Sequence, residues 1–289
     1  MGLFSEANTV RDFLRDLVKS LDVQFVPGNG LPRRPDEVLL EGSVRAALIR
    51  LNPEIEADPR KADEVIHTLR AILISARAAP HPVVANEELM AWLTGQKSMP
   101  FGPHGEHTTV RLIDFEHPED DSSNHWVVAT EVTFQVGRVG KRFDVVLWCN
   151  GFPLVVGEAK TPIRGAYSWI DGAAQVHDDY EASVPQFFVP NVFSFATEGK
   201  DFRYGTVGMP VELWGPWRED KTDPDAAAKL GLEVVKDAVN GVLRPAAVLD
   251  FLMQDDRWVV AFCDAGGHAY TAVQAARAAL PGGMDHHWT

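Results

Sequence analysis

Three ionisable residues interrupt apolar runs: Asp144 in Phe143-Asp144-Val145-Val146-Leu147, and Glu158 and Lys160 in Val155-Val156-Gly157-Glu158-Ala159-Lys160. An isolated buried charge is costly, so a charge inside a strand is paired, metal-bound or placed at an end that meets solvent. Two carboxylates and a lysine are what hydrolysis of a phosphodiester asks for. Hard carboxylate oxygens suit Mg²⁺, which polarises the phosphate and lowers the pKa of an attacking water. Asp144 and Glu158 would supply those oxygens, and the carbonyl of Ala159 is a further candidate ligand. Lys160 would orient or deprotonate the water and offset charge developing on the phosphate. On spacing alone the pattern is short, and a Glu–Lys pair on an exposed face is the commoner explanation of it.

The chemistry requires Asp144 and Glu158 on one face, which makes the hairpin between them decisive. Side chains alternate along a strand, and Asn150-Gly151 marks the turn. A two-residue turn there pairs Asp144 with Gly157 and turns the carboxylate away from Glu158. A three-residue loop, Cys149-Asn150-Gly151, or an equivalent bulge puts the two carboxylates on a common face.

The elements that must hold this hairpin can be read from periodicity. An amphipathic helix is expected over 4–21, with Ser5 as its N-cap, followed by a Pro/Gly-rich connector at 27–35 and helices near 42–51, 61–78 and 86–93. Val-, Phe- and Trp-rich segments at 110–115, 126–136, 142–149 and 152–160 read as a mainly antiparallel sheet. A helix at 170–182, a strand at 187–197, a Trp-rich loop at 214–217, and helices from Asp223 through Leu243 and over 268–280 complete the expectation. The class is α/β, a central sheet flanked by helices with helical extensions at both ends. Residues 1–100 are expected to form a helical N-terminal part, 101–222 the core and 223–289 a helical segment.

Composition narrows the partners. The chain has 289 residues and a formal net charge of −14, against the Lys and Arg excess that duplex binding draws on. A local excess exists at Arg138, Lys141, Arg142, Lys160 and Arg164, so any nucleic-acid role must use that patch or a partner. Two well-separated cysteines and no charged-then-apolar leader predict a cytoplasmic protein without a disulfide framework, and the apolar runs are too short to span a membrane. The ten histidines form no spaced motif with cysteine, which argues against zinc.

The stretch from Phe143 to Leu147, followed by Asn150-Gly151-Phe152-Pro153-Leu154-Val155-Val156-Gly157-Glu158-Ala159-Lys160-Thr161-Pro162, resembles the PD-(D/E)xK nuclease core of type I restriction enzyme R subunits. Phe143 stands where that family has Pro. Gln175, Val184-Pro185-Gln186-Phe187-Phe188, Asn191, Thr197-Glu198-Gly199 and Arg203-Tyr204-Gly205 extend the likeness downstream. Ser5-Glu6, Leu51-Asn52-Pro53 and Ala85-Asn86-Glu87 extend it upstream. The resemblance implies a restriction-endonuclease-like fold with a central mixed sheet, and a Mg²⁺-dependent endonuclease acting on double-stranded DNA beside methyltransferase and specificity subunits. It gives Asp144, Glu158 and Lys160 the catalytic roles. Gln175 and Tyr180 become supporting residues, with Tyr180 one position later than the family's Gln, three residues, Tyr spacing. Glu6 is a first-helix candidate. No GxxxxGK[ST] loop occurs in the chain, so ATP would act only through motor domains expected beyond residue 289. Two alternatives carry the same residues: a docking fragment with a dormant site, and a stand-alone repair nuclease.

Overall fold

The computed structural model describes residues 9–21, 23–78, 82–118, 120, 122–160, 168–217, 232–253, 262–263 and 269–270. In chain order the elements are helix α1 (Thr9–Lys19), strand β1 (Gln24–Pro27), helices α2 (Glu41–Leu51), α3 (Pro53–Ala57), α4 (Lys61–Ser75) and α5 (Val83–Leu93), short strands β2 (Ser98–Met99) and β3 (Thr108–Thr109), then β4 (Trp126–Val136), β5 (Val139–Cys149) and β6 (Phe152–Ala159). Helix α6 (Trp169–Ala174) runs through a π turn, Gln175–Tyr180, into α7 (Glu181–Ser183). Helix α8 (Pro185–Phe188), strands β7 (Phe193–Thr197), β8 (Phe202–Gly205) and β9 (Gly215–Pro216), helices α9 (Leu232–Val242) and α10 (Pro245–Met253), and the paired strands β10 (Phe262–Cys263) and β11 (Ala269–Tyr270) follow.

Seven strands form one sheet in the order β1-β4-β5-β6-β7-β8-β9. It is mixed and mainly antiparallel: β1 pairs with β4 and β6 with β7 in parallel, and the other pairings, including those of β4, β5 and β6, are antiparallel. The connection that carries the chain from β6 to β7 contains α6 to α8, as a parallel crossover requires. Strand β6 is buried along its whole length, so its apolar run is continuous instead of alternating. On one face Phe187 and Phe188 of α8 pack on Phe143 and Phe187 also meets Trp148, with Phe143 and Phe187 stacked at 4.3 Å. Phe251 of α10 packs against Phe193 and Tyr204. Among the described residues no helix is long and apolar enough to cross a membrane.

Several expected elements differ. Residues 110–115 form no strand, although Val110, Leu112 and Ile113 are buried. Side-chain amides take the place of a neighbouring strand there. Asn52 accepts from the Arg111 amide at 2.7 Å and donates to its carbonyl at 2.8 Å, Asn124 accepts from Asp114 N, and Asn150 donates to Leu112 O. The backbone is satisfied without a ladder, so apolar patterning alone misreads the segment. The run 187–197 divides into α8, which opens on Pro185 at its first turn, and β7. Ala269 and Tyr270, placed in a helix by periodicity, pair with β10. The connector at 27–35 is preceded by β1, a strand that the sequence pattern does not reveal, and Arg33 from this connector lies half-buried over Trp148 and Phe187. Burial lowers the Arg33 pKa to about 10.

Candidate active site

The β5–β6 hairpin turns on Asn150 and Gly151, with φ of 48° and 88°. Both are positive, as the turn that matches strand twist requires. A Cβ on Gly151 would lie 2.5 Å from Leu40 O, so only glycine fits. Asn150 is fully buried and anchored on both ends of its amide. It donates to Leu112 O and Asn124 Oδ1, each at 2.9 Å, and accepts from His125 N at 2.8 Å and Arg50 Nη2 at 3.0 Å.

The turn has two residues, since Cys149 pairs with Phe152, and the three-residue loop does not occur. The equivalent bulge does. Trp148 pairs with Pro153 and Leu147 with Val155, leaving Leu154 as the extra residue. Pro153 explains the position: it has no N–H for the ladder, and proline inside sheets is confined to edges, strand starts and bulges. Beyond the bulge Val145 pairs with Gly157, so the register continued by one step sets Asp144 across from Glu158. At this point β5 leaves β6 while β6 stays paired with β7 through Ala159.

Asp144 and Glu158 are each 3 % exposed. The Ala159 amide donates to Asp144 Oδ2 at 3.0 Å. Lys160 Nζ, on a side chain 19 % exposed, donates to Glu158 Oε1 at 3.0 Å and to Gln175 Oε1. Gln175 Nε2 donates to the Tyr180 hydroxyl, and that hydroxyl lies 3.4 Å from Glu158 Oε2 and 3.2 Å from Arg142 O, both acceptors. Lys160, Gln175, Tyr180 and Glu158 thus close a ring of hydrogen bonds. Burial first, then the charges of Glu158 and Asp144, push the Tyr180 pKa well up, so the phenol stays neutral and donates. The register that sets Asp144 across from Glu158 puts the two carboxylates on one face.

The helix that brings Gln175 and Tyr180 is fixed at its start by a capping box, in which Ser168 and Asp171 satisfy each other's backbone amides. Its middle is wound as a π turn from Gln175 to Tyr180. Five steps of an α-helix would separate the two side chains by about 140°; the wider turn absorbs the extra residue and restores them to one face. The late Tyr180 therefore reaches the place that the spacing alone left in doubt, and π turns recur at functional sites. Gly172 lets this helix lie close: a Cβ there would be 3.1 Å from Ala196 Cβ, 3.6 Å from Lys160 Cγ and 3.7 Å from Glu158 Cγ.

The proposed cationic patch does not converge as one group. Arg138 is exposed in the turn between β4 and β5. Lys141 is tied to Asp179 at 2.6 Å and lies over the Tyr180 ring, and its partner Asp179 carried no signal in the sequence because the pairing crosses from helix to strand. Arg142 is 52 % exposed and 3.6 Å from Glu131. Arg164 and Glu6 lie outside the described residues. Glu181, also missed, is a buried carboxyl that accepts from Gly208 N at 2.9 Å, and burial raises its pKa to about 8.

Among the described residues no cluster of three or more His, Cys, Asp or Glu could hold a metal. The donors available at the site are two carboxylates and the Ala159 carbonyl, a hard oxygen set. Mg²⁺ is commonly held by one or two carboxylates, with water and substrate phosphate completing its shell, so the set fits that ion.

A family model described as type I restriction enzyme R protein N terminus matches residues 3–210. A second, described as protein of unknown function, matches residues 231–283. Over 257 residues the chain is 24 % identical to the type I restriction enzyme HindI endonuclease subunit of Haemophilus influenzae, an alignment covering 85 % of this chain and 23 % of that subunit. The chain therefore spans about a quarter of the length of that curated relative.

Proposed function

The chain belongs to the family of type I restriction enzyme R protein N termini, and we propose that its Asp144, Glu158 and Lys160 form the Mg²⁺-dependent nuclease centre of a restriction complex, on a PD-(D/E)xK core. The closed ring of Lys160, Gln175, Tyr180 and Glu158 beside Asp144 carries this reading. Bound Mg²⁺ would supply Lewis acidity toward the phosphate and a more acidic water. Asp144, Glu158 and the Ala159 carbonyl are the groups that would hold it. Lys160 orients the attacking water and offsets charge on the phosphate, Gln175 holds the lysine through its amide oxygen, and neutral Tyr180 fixes Glu158. Catalytic groups must be held to within a fraction of an ångström, and a cross-braced ring does so without a rigid loop.

Double-stranded DNA is the substrate in this reading, met with methyltransferase and specificity subunits, and ATP enters only through a motor. Arg138 and Arg142 contact flanking phosphates, whereas the charge of Lys141 is already committed to Asp179. Residues 101–222 form the nuclease core, framed by a mainly helical part at 1–100 and by 223–289. A net charge of −14 favours a second reading, in which the chain alone serves as a docking module for the other subunits.

Plasmid cleavage separates them. The purified chain with Mn²⁺ at low salt should nick supercoiled DNA slowly, and Lys160→Ala should not nick it at all. Equal nicking by both proteins would remove Lys160 from the chemistry, and no nicking by either would favour docking.

A further inference from the structure

One arginine outside the cationic patch shares the row of residues that holds the carboxylates. Glu158 pairs with Ala196 on β7, and Ala196 pairs with Arg203 on β8. Ala196, Glu158 and Lys160 all lie under Gly172 of α6. The Arg203 guanidinium lies 5.3 Å from the centre of the Trp169 ring, at the first turn of that helix. Arg203 is therefore on the same side of the sheet as the site, two strand spacings from Glu158, or about 10 Å. That separation is within reach of a phosphate one or two nucleotides along the same strand.

Among the described residues no carboxylate pairs with Arg203, whose Nε is buried, so a ligand would meet the outer nitrogens of the guanidinium. A half-buried guanidinium beside an indole, with no carboxylate among the described residues to neutralise it, keeps its charge for an oxyanion such as a phosphate. The contact with the Trp169 ring restrains the side chain, so less rotamer freedom is lost when it engages phosphate. Nothing singled it out in the sequence, because a lone arginine in a short strand is ordinary.

We propose that Arg203, braced on Trp169, binds a backbone phosphate of the DNA strand one or two nucleotides from the bond that Asp144, Glu158 and Lys160 cut. The assignment rests on the nuclease reading of that site and adds a substrate contact on its β8 side, opposite Arg142.

Fluorescence anisotropy of a labelled duplex in EDTA, titrated from low to physiological salt, tests this with the whole chain. Arg203→Gln keeps the stem on Trp169 and removes the charge. It should weaken binding several-fold and reduce the salt slope by about 0.9, the loss of one phosphate contact, while Arg203→Lys should keep the slope. A wild-type slope in Arg203→Gln overturns the proposal, as does an equal loss in both variants, which would make the role packing against Trp169. Absence of measurable binding by the wild-type chain at the lowest salt also overturns it. Plasmid nicking run in parallel separates the two ideas: nicking by Lys160→Ala at the wild-type rate sinks the nuclease reading, whereas an inactive Lys160→Ala beside a fully active, tightly binding Arg203→Gln sinks only the assignment of Arg203.

Discussion

At one end of the β5–β6 hairpin, Asn150 is buried with its amide bonded to Leu112 O, Asn124, His125 N and Arg50. At the other end Asp144 and Glu158 are as well buried, yet both are ionisable, and Glu158 is paired with a lysine that still reaches solvent. The neutral end spends its polar groups on the backbone of neighbouring segments and stabilises the fold. Two adjacent carboxylates do the opposite, because each raises the cost of ionising the other and a single lysine offsets only one of them. Buried polarity of the first kind explains how the hairpin is held. Polarity of the second kind asks for a cation, and it is there that chemistry is to be sought.

The comparison can be broken first at its structural end. Asn150→Ala removes acceptors and donors from buried partners and forces alanine into a positive φ, which should cost about 3 kcal/mol or more, read as a fall in the urea midpoint. A cost below about 0.5 kcal/mol, the size of an ordinary surface change, would show that the amide is not what fixes the turn.

Glu181 sharpens the contrast, being a buried carboxyl with, among the described residues, one backbone donor and no lysine. Its pKa is raised by burial to about 8, so the folded state keeps a proton that the unfolded chain releases near its ordinary value of 4.5. The stability it contributes is complete below that ordinary value and declines as pH rises toward 8, by up to about 1.4 kcal/mol per pH unit. Glu181→Gln, which retains an acceptor for Gly208 N, should flatten the decline and raise the melting temperature at pH 8 but not at pH 4. An unchanged pH profile would mean that Glu181 ionises freely in the fold.

Much of this was legible in the amino-acid sequence. Strands β4, β5 and β6 and helices α2 and α4 lie close to where periodicity puts them, because their apolar residues are continuous or regularly spaced. The parity of Asp144 and Glu158 demanded a bulge, and Pro153, lacking an N–H, supplies it. Hidden features were those set by distant partners. Residues 110–115 read as a strand because the amides of Asn52, Asn124 and Asn150, far apart in sequence, substitute for a ladder. The π turn that returns Tyr180 to Gln175 could not be inferred from a spacing that an α-helix would make unproductive. The ring itself joins the end of one strand to a helix, and Arg203 joins the site only through the sheet order.

The central claim, that the charged end of the hairpin is a cation site and not a structural one, is tested most directly by thermal melting of wild type and Asp144→Asn with and without Mn²⁺. Asparagine preserves the size of the side chain and its acceptor for the Ala159 amide while removing one of two neighbouring charges. Without metal the variant should melt at or above wild type. Saturating Mn²⁺, at about a hundred times its dissociation constant, should stabilise the wild type by about 2.7 kcal/mol and leave the variant unmoved. Equal Mn²⁺ stabilisation of both proteins, or a metal-free variant that melts well below wild type, would contradict the account.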